Sequence, residues 1–366
     1  MINIKRMLDT FLALVRIDSE WGEEAALARD VADRLAALDV SADIDGAGNV
    51  IATLAAAPPS QAPPVLFCAH LDTVKPGKGV VPQVTDGVVT SASDTILGAD
   101  NNAAIAALLE LAHSLHEDGT SHGPVELLFT TGEEIFCTGA SALDFSRLES
   151  RLGYAFDSPA PIGHVVASGP GHVQTTAEFV GRAAHTGIEP EVGLSAIRAA
   201  ADAITRMRLG PLGERTSANV GTIAGGTGRN VVPERCTLEG EARSCSAADL
   251  AAAVADMRAA CENAAAEHGV TCTFTHTQTL QPYAHEADAP VVALARAAAR
   301  RAGLPDEVTW TLVGSDVNVL NANGIPAVNL GAALTHSHTT RESQRVRDLA
   351  DIAAHAEAIA LEAGNR

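Results

Sequence analysis

Apolar residues recur at helical spacing through residues 3–16 and 21–38, and "EEAALARDVADRL" collects its Ala, Leu and Val on one side. The period then shortens. "SADID" and "VIATL" flank "AGN", the pattern of a hairpin. After the polar, proline-rich connection "AAAPPSQAPP" comes "VLFCAH", a short continuous apolar run that predicts a fully buried strand. A helix "NNAAIAALLELAHSLH", a strand "VELLFTT", a helix near 139–148 and a strand "LGYAFD" follow. Short apolar strands alternating with helices specify an α/β fold, a mostly parallel sheet with helices on both faces.

The pattern changes near residue 164. "HVQTTAEFVGRAAHTG" alternates like a half-exposed strand, and a long helix is expected over about 191–208. "ANVGTIAGG" and "CTLEGEARS" read as strands, Ser246 as the cap of a helix over about 247–267, and "VTCTFTHTQTL" as a further strand. This order suits a small antiparallel sheet with helices on one face, an α+β unit of ferredoxin-like type. Past about residue 284 the α/β pattern returns: a helix, "VTWTLV", another helix, "IPAVNLG" and a terminal helix. The expected organisation is therefore one α/β domain made of residues 1–165 and 284–366, interrupted by an inserted domain at 166–283.

At 366 residues and 46% hydrophobic, each domain can bury a proper core. No apolar stretch approaches the ~18 residues that span a bilayer. The start, "MINIKRMLDTFLALVRIDSE", reads as an amphipathic helix rather than a signal peptide, so the expected location is the cytoplasm. Net charge is -20, with 45 acids against 25 Lys and Arg, a surface that repels phosphate backbones and anionic lipid. Neither nucleic acid nor a membrane is expected as a partner. The six cysteines show no CxxC spacing and read as reduced thiols packed as small apolar groups.

Chemistry gathers where the strands of the α/β part end. "FCAHLDTV" places His70 and Asp72 at spacing two, on one side of an extended chain. "ILGADNN" puts Asp100 before a helix, "TTGEE" puts Glu133 and Glu134 after a strand, and "YAFDS" puts Asp157 after the next. "LTHSHTTRE" brings His336 and His338 after the last. Singly, each has an ordinary explanation: Asp100 as a helix cap, His70 as a hydrogen-bonded core histidine, Asp157 as a turn residue. Together they lie outside the carboxyl ends of the strands, where open α/β sheets bind ligands.

Two adjacent carboxylates beside a core repel each other and are poorly solvated, so either they splay into water or something cationic holds them. Two zinc ions with three protein ligands each need six bonds, which five residues supply if one carboxylate bridges. His70, Asp100, Glu134, Asp157 and His338 fit that count with Asp100 as the bridge. Glu133 is left without a metal bond, as a general base must be. Asp72 is the expected carboxylate partner of His70's second nitrogen.

Taken in order, "HLDTV", "GADNNAAIAAL", "TGEE" and "HTTRE" closely resemble the motifs of the dizinc exopeptidases, the family of peptidase T, glutamate carboxypeptidase, aminoacylase and succinyl-diaminopimelate desuccinylase. The likeness runs over nearly the whole chain. It implies that His70, Asp100 and Asp157 hold one zinc and Asp100, Glu134 and His338 the other, with Glu133 as base and Asp72 behind His70. Cobalt and manganese suit similar ligands. It selects His338 over His336, because small residues and then Glu342 follow, and it implies a cis peptide after Asp100. "GRAAHTGIEPEVGLSAI" and "GGTGRNVVPE" resemble the family's lid and dimerisation domain. By that likeness His185 reaches an oxyanion, Asn230 and Arg243 contact substrate, and the inserted domain forms a homodimer. An ion pair with nearby acids is the competing account of Arg243.

Members of the family acting at a free amino terminus tend to carry aspartate at the position of Asp157, and the stretch from Ala155 to Glu191 most resembles the peptidase T-like branch. The expected activity is hydrolysis of short peptides, as an aminopeptidase or tripeptidase, by a metal-bridging hydroxide that Glu133 deprotonates. Phe136 and Cys137 replace the more usual small residues and put side-chain preference in doubt. Ser315 and Asp316 in "VGSDVN" are either a substrate-facing turn or a helix cap. The alternatives are a carboxypeptidase or N-acyl amino acid amidohydrolase using the same metals, and, further off, a non-catalytic relative serving as a binding protein. "GTSHG", residues 119–123, is a literal GxSxG, but it lies between helix and strand where a nucleophile elbow joins strand to helix.

Overall fold

Helices α1 (Ile4–Leu14) and α2 (Ala25–Ala36) precede the hairpin of β1 (Ala42–Ile44) and β2 (Val50–Leu54). In the computed structural model, which describes residues 2–58, 62–118 and 121–364, the run Val65–His70 forms β3 and is buried along its whole length. There follow β4 (Pro82–Thr85), β5 (Val88–Ser91), α3 (Ala99–Asp118), β6 (Val125–Thr130), α4 (Thr138–Ser141), β7 (Leu152–Ser158) and β8 (Val165–Gly169). The chain then enters a second unit with β9 (Gly171–Val180), α5 (Ala196–Arg206), β10 (Gly210–Gly213), β11 (Thr216–Gly225), β12 (Arg235–Ser244), α6 (Ala247–His268), β13 (Thr271–Leu280) and β14 (Tyr283–Ala284). It closes with α7 (Pro290–Arg301), β15 (Val308–Trp310), α8 (Asp316–Ala322), β16 (Ala327–Gly331), β17 (Ser343–Arg345) and α9 (Val346–Gly364).

In the first unit the main sheet runs β1-β2-β6-β3-β7-β16-β8, with β15 beside β8. The pairings of β3 with β6 and β7, and of β16 with β7, are parallel. The carboxyl ends of these strands therefore lie along one edge, and the register sets His70 opposite Thr130 and Cys68 opposite Ala155. The fold is α/β with helices on both faces, and α1, α3, α7 and α9 join the sheet's side chains in one apolar core that includes Phe67, Phe129 and Phe156. One polar residue in that core is answered on the spot. Glu126 in β6 is 3% exposed and accepts the amides of Glu149 and Ser150 at 2.9 and 3.0 Å, which satisfies a charge that could not stay buried alone.

The second unit comprises Gly169–Ala284 together with Thr311–Gly314. Its sheet is antiparallel, in the order β10-β11-β12-β9-β13. Alternation along the strands turns Val173, Ala177, Phe179, Leu238 and Ala242 into one cluster with the Ala-rich faces of α5 and α6. Ser246 caps α6 by accepting the Asp249 amide, and Gly269 at φ 65° ends it.

The chain departs from the expected elements in several places. The helix expected near 139–148 is a single turn, Thr138–Ser141, plus a 3-10 turn at Phe145–Arg147. The one expected over 191–208 is a 3-10 turn at Pro190–Val192 and then α5. The hairpin β4–β5 and its partner β17, a separate three-stranded sheet, had no counterpart in the expected elements. All six cysteines are free thiols, four of them buried. Among the described residues no helix is long and apolar enough to cross a membrane. Pro59, Ser60 and Gln61 of the proline-rich connection, and Gly119 and Thr120 of "GTSHG", lie outside the described residues; Ser121 stands between α3 and β6.

Candidate metal centre

Parallel pairing delivers the candidate residues to one place. His70 ends β3, Glu133 and Glu134 follow β6, Asp157 lies at the end of β7, and Asp100 sits where α3 begins. Ligand atoms of His70, Asp100 and Glu134 all lie within 4.8 Å of one another. The Asp100 carboxylate faces both histidines: Oδ1 is 3.2 Å from His70 Nε2 and Oδ2 is 3.5 Å from His338 Nε2. His338 Nε2 also lies 2.9 Å from Glu134 Oε1, and His70 Nε2 lies 3.8 Å from Asp157 Oδ1. Thus His70, Asp100, Glu134, Asp157 and His338 converge. His338 is half exposed and adopts φ 63°, a left-handed conformation that turns the loop back on itself. The Asp100–Asn101 peptide is cis, and both residues depart from helical dihedrals before α3 becomes regular.

The electrostatics suit a cation. Burial and then the charge of Asp157 push Glu133 well above the usual carboxylate range, and burial and then Asp100 do the same to Asp157. Hydrogen bonds to Asp100 and Glu134 push His338 up to about 10. His70 is also raised, its bonds to Asp100 and Asp72 outweighing the opposite pull of burial. Without a cation, Glu133 and Asp157 are biased toward their protonated forms, while the two imidazoles, facing carboxylates, are biased toward their charged forms. Imidazole nitrogens and carboxylate oxygens in this number are the donor set of borderline and hard divalent ions, and the residues fit such a group.

Buried polar side chains from elsewhere in the chain hold the backbone that carries Glu134 and Asp157. Asp72, wholly buried, accepts the amides of Glu133 at 2.9 Å and Glu134 at 3.0 Å. His70 Nδ1 is 2.9 Å from the Asp72 carbonyl oxygen and 3.5 Å from its carboxylate. Asp72 thus meets His70 Nδ1 with its main-chain oxygen and, at longer range, with its carboxylate, which also fixes the Glu133–Glu134 turn. Asn329 brackets Asp157, accepting its amide and donating to its carbonyl, both at 2.9 Å. Asn101 donates to the Phe156 carbonyl at 3.0 Å and to Asp157 Oδ1 at 3.2 Å. Asn49 of the β1–β2 turn accepts the Thr131 amide at 3.1 Å and donates to Gly139 O at 3.0 Å. Sequence reasoning overlooked Asn49, Asn101 and Asn329, although an asparagine inside the apolar "IPAVNLG" is a visible signal.

Ser315 is a helix cap: its hydroxyl accepts the Val317 amide while Asn318 reaches back to the Ser315 amide at 3.0 Å. Asp316 is 3% exposed, accepts a hydrogen bond from Thr130 and lies 3.7 Å from Cys68 Sγ, so it is a buried residue of the core. Cys137 is buried with its Sγ 3.9 Å from Glu133 Oε1, whereas Phe136 is 43% exposed. His336 is exposed at φ 55°.

The residues expected to touch substrate from the inserted domain belong to the second unit. His185 is exposed, its ring Nδ1 accepting the Gly187 amide at 3.1 Å, and the Thr186 amide donates to the Asn230 carbonyl at 3.2 Å. His185 and Asn230 thus lie on neighbouring segments. Arg243 donates through two nitrogens to Glu241 at 3.1 Å each, and His172 contacts the same carboxylate at 2.9 Å. In this structure Arg243 is engaged in the ion pair.

This α/β sheet, with imidazoles and carboxylates converging at its carboxyl edge, defines a metallopeptidase. Residues 169–269 match the peptidase dimerisation domain, and residues 49–157 match peptidase family M28. The chain is 38% identical over 371 residues to the uncharacterized protein YqjE of Bacillus subtilis, covering 99% of this chain and 100% of that one. It superposes on aminopeptidase PepT of Bacillus cereus with a TM-score of 0.94 at 36% identity, over 99% of both chains. With a tripeptidase of Staphylococcus aureus the TM-score is 0.96 at 34% identity, over the whole of both chains. The chain belongs to the M20 peptidases, in their peptidase T-like branch.

Proposed function

We propose that this peptidase is an aminopeptidase of short peptides, tripeptides above all, and that it works with two divalent ions, most simply zinc. The observation that carries the reading is Asp100, which turns one carboxylate oxygen to His70 and the other to His338, as a carboxylate shared by two ions must. His70, Asp100 and Asp157 would hold one ion, and Asp100, Glu134 and His338 the other. When bound, the ions supply Lewis acidity that acidifies water and polarises the scissile carbonyl.

The chain's own residues do the rest. Glu133 takes the proton from the attacking water and returns it to the leaving amine. Asp72 fixes the turn on which Glu133 stands, while Asn101 and Asn329 fix Asp157. His185 contacts the oxyanion, and Asn230 and Arg243 contact the substrate, Arg243 by giving up part of its hold on Glu241. Residues of the second unit pair two copies as a homodimer, and the enzyme works in the cytoplasm. The aminopeptidase and tripeptidase named among its structural relatives support the amino-terminal preference.

Two assays test this. A tripeptide with a free amino terminus should be cleaved, and its N-acetylated form cleaved far more slowly. Faster turnover of the acetylated peptide would point to an amidohydrolase or carboxypeptidase. Exhaustive chelation should abolish activity, and zinc, cobalt or manganese should restore it; activity that survives chelation counts against the metal-dependent reading.

A further inference from the structure

Glu342 lies four residues beyond His338 and is 2% exposed. Its carboxylate is turned toward a different segment, the loop that leads into α3. Oε2 accepts the amides of Leu97 at 2.8 Å and Gly98 at 2.7 Å, and Oε1 accepts the amide of Asp100 itself at 3.0 Å. Three amides converge on one carboxylate more than 240 positions away in sequence. A further buried carboxylate beside Asp100 adds repulsion and gives up solvation, a cost offset only by the three amides it serves. Its backbone neighbours tie the other side: the Glu342 amide donates to Thr339 O at 3.0 Å, and the Ser343 amide to Thr335 O at 3.1 Å, closing the loop that carries His338.

We propose that Glu342 is a positioning residue that locks the Asp100 loop to the His338 loop, and so sets the separation between the shared carboxylate and the histidine it faces. This rests on the two-ion reading. The main chain at Asp100 has dihedrals outside the helical range, and Gly98 beside it sits at φ 74°, so neither is held by regular helix hydrogen bonding. The carboxylate supplies that hold. Residues that orient ligands in this way typically influence metal affinity by about 10- to 100-fold.

The test is metal binding by protein stripped with chelator, titrated with Zn2+ against a competing indicator and with Co2+ followed by its visible spectrum. Thermal melting of the stripped protein is recorded beside it. In Glu342→Gln one acceptor oxygen becomes an NH2 group facing an amide N–H. It should weaken zinc binding about 10- to 100-fold and change the Co2+ spectrum, while the stripped protein melts within a few degrees of wild type. Glu342→Asp keeps the charge but draws the carboxylate back by one methylene, and it should also bind zinc more weakly than wild type. It serves equally if Glu342→Gln does not fold. Wild-type affinity in Glu342→Asp with a loss only in Glu342→Gln would reduce the effect to charge and overturn the proposal. So would wild-type affinity and spectrum in both variants. A wild-type protein that takes up no divalent ion would overturn the two-ion reading itself, which the stoichiometry of the unmutated chain reveals separately.

Discussion

Glu133 and Glu134 are chemically identical neighbours with different surroundings. Glu134 meets His338 at 2.9 Å, while the Glu133 carboxylate has Cys137 Sγ at 3.9 Å. The division of labour follows from where the turn points each side chain, and Asp72 fixes that turn through both amides. Glu133→Gln keeps volume and polarity but cannot accept a proton. It should retain both ions by elemental analysis and lose about 10²- to 10⁴-fold in kcat; near wild-type turnover would remove Glu133 from the role of base. At this scale the convergence of His70, Asp100, Glu134, Asp157 and His338 was legible because metal chemistry restricts residue types and the strand ends restrict places. The holding residues were not, because Asn329 or Glu342 acquires its role only from amides that folding brings beside it.

At the scale of elements, the stretch from Thr131 to Thr138 is a tight turn rather than the start of a helix. Its amides bond back from Thr138 to Gly132 O and from Gly139 to Thr131 O, both at 2.9 Å. A Cβ on Gly139 would fall 2.3 Å from Thr131 O and 2.6 Å from Asn49 Oδ1. Gly139→Ala should therefore cost about 1–3 kcal/mol in urea unfolding, and by displacing the turn lower kcat about tenfold or more. Gly46→Ala, in the nearby hairpin where nothing lies within 4 Å, is the control and should stay within about 0.5 kcal/mol of wild type. Equal effects of the two would refute the steric argument.

The long helices and buried strands were readable as elements because each has one dominant period. The helix expected near 139–148 failed because small residues there serve close backbone approach, which composition does not distinguish from helix preference. The β4–β5 hairpin carried a signal that went unread: Asp86 and Gly87 both take positive φ, 51° and 77°, the pair of left-handed residues that a two-residue turn demands.

Across the whole molecule, a buried histidine links stability to pH. His355 in α9 is fully buried, donates from Nε2 to Ala295 O at 3.0 Å and meets the Phe156 ring edge-on with centroids 5.7 Å apart. Burial pushes its pKa down from 6.5 to about 4. The unfolded chain then binds a proton that the folded chain refuses, so stability falls as pH drops below about 6.5 and the loss is complete only below about 4. His355→Gln can make the same hydrogen bond without titrating. Between pH 7.5 and 5.0 wild type should lose about 2 kcal/mol more than this variant in chemical denaturation. Parallel pH profiles would show that His355 is not the linked group. The division into an interrupted α/β part and an α+β part was foreseeable from the change of period, but the return of Thr311–Gly314 to the second unit was not. Four residues are too few to carry a pattern.

The place of β16 has a consequence for how the enzyme is made. This strand lies between β7 and β8, yet it is synthesised after both of them and after the entire second unit. A nascent chain that has emerged only as far as Ala284 owns His70, Asp100, Glu134 and Asp157, but it lacks His338 and the asparagine that brackets Asp157. On the two-ion reading such a chain holds an incomplete centre, and the last ligand and the asparagine behind Asp157 arrive only with the carboxyl-terminal part of the chain.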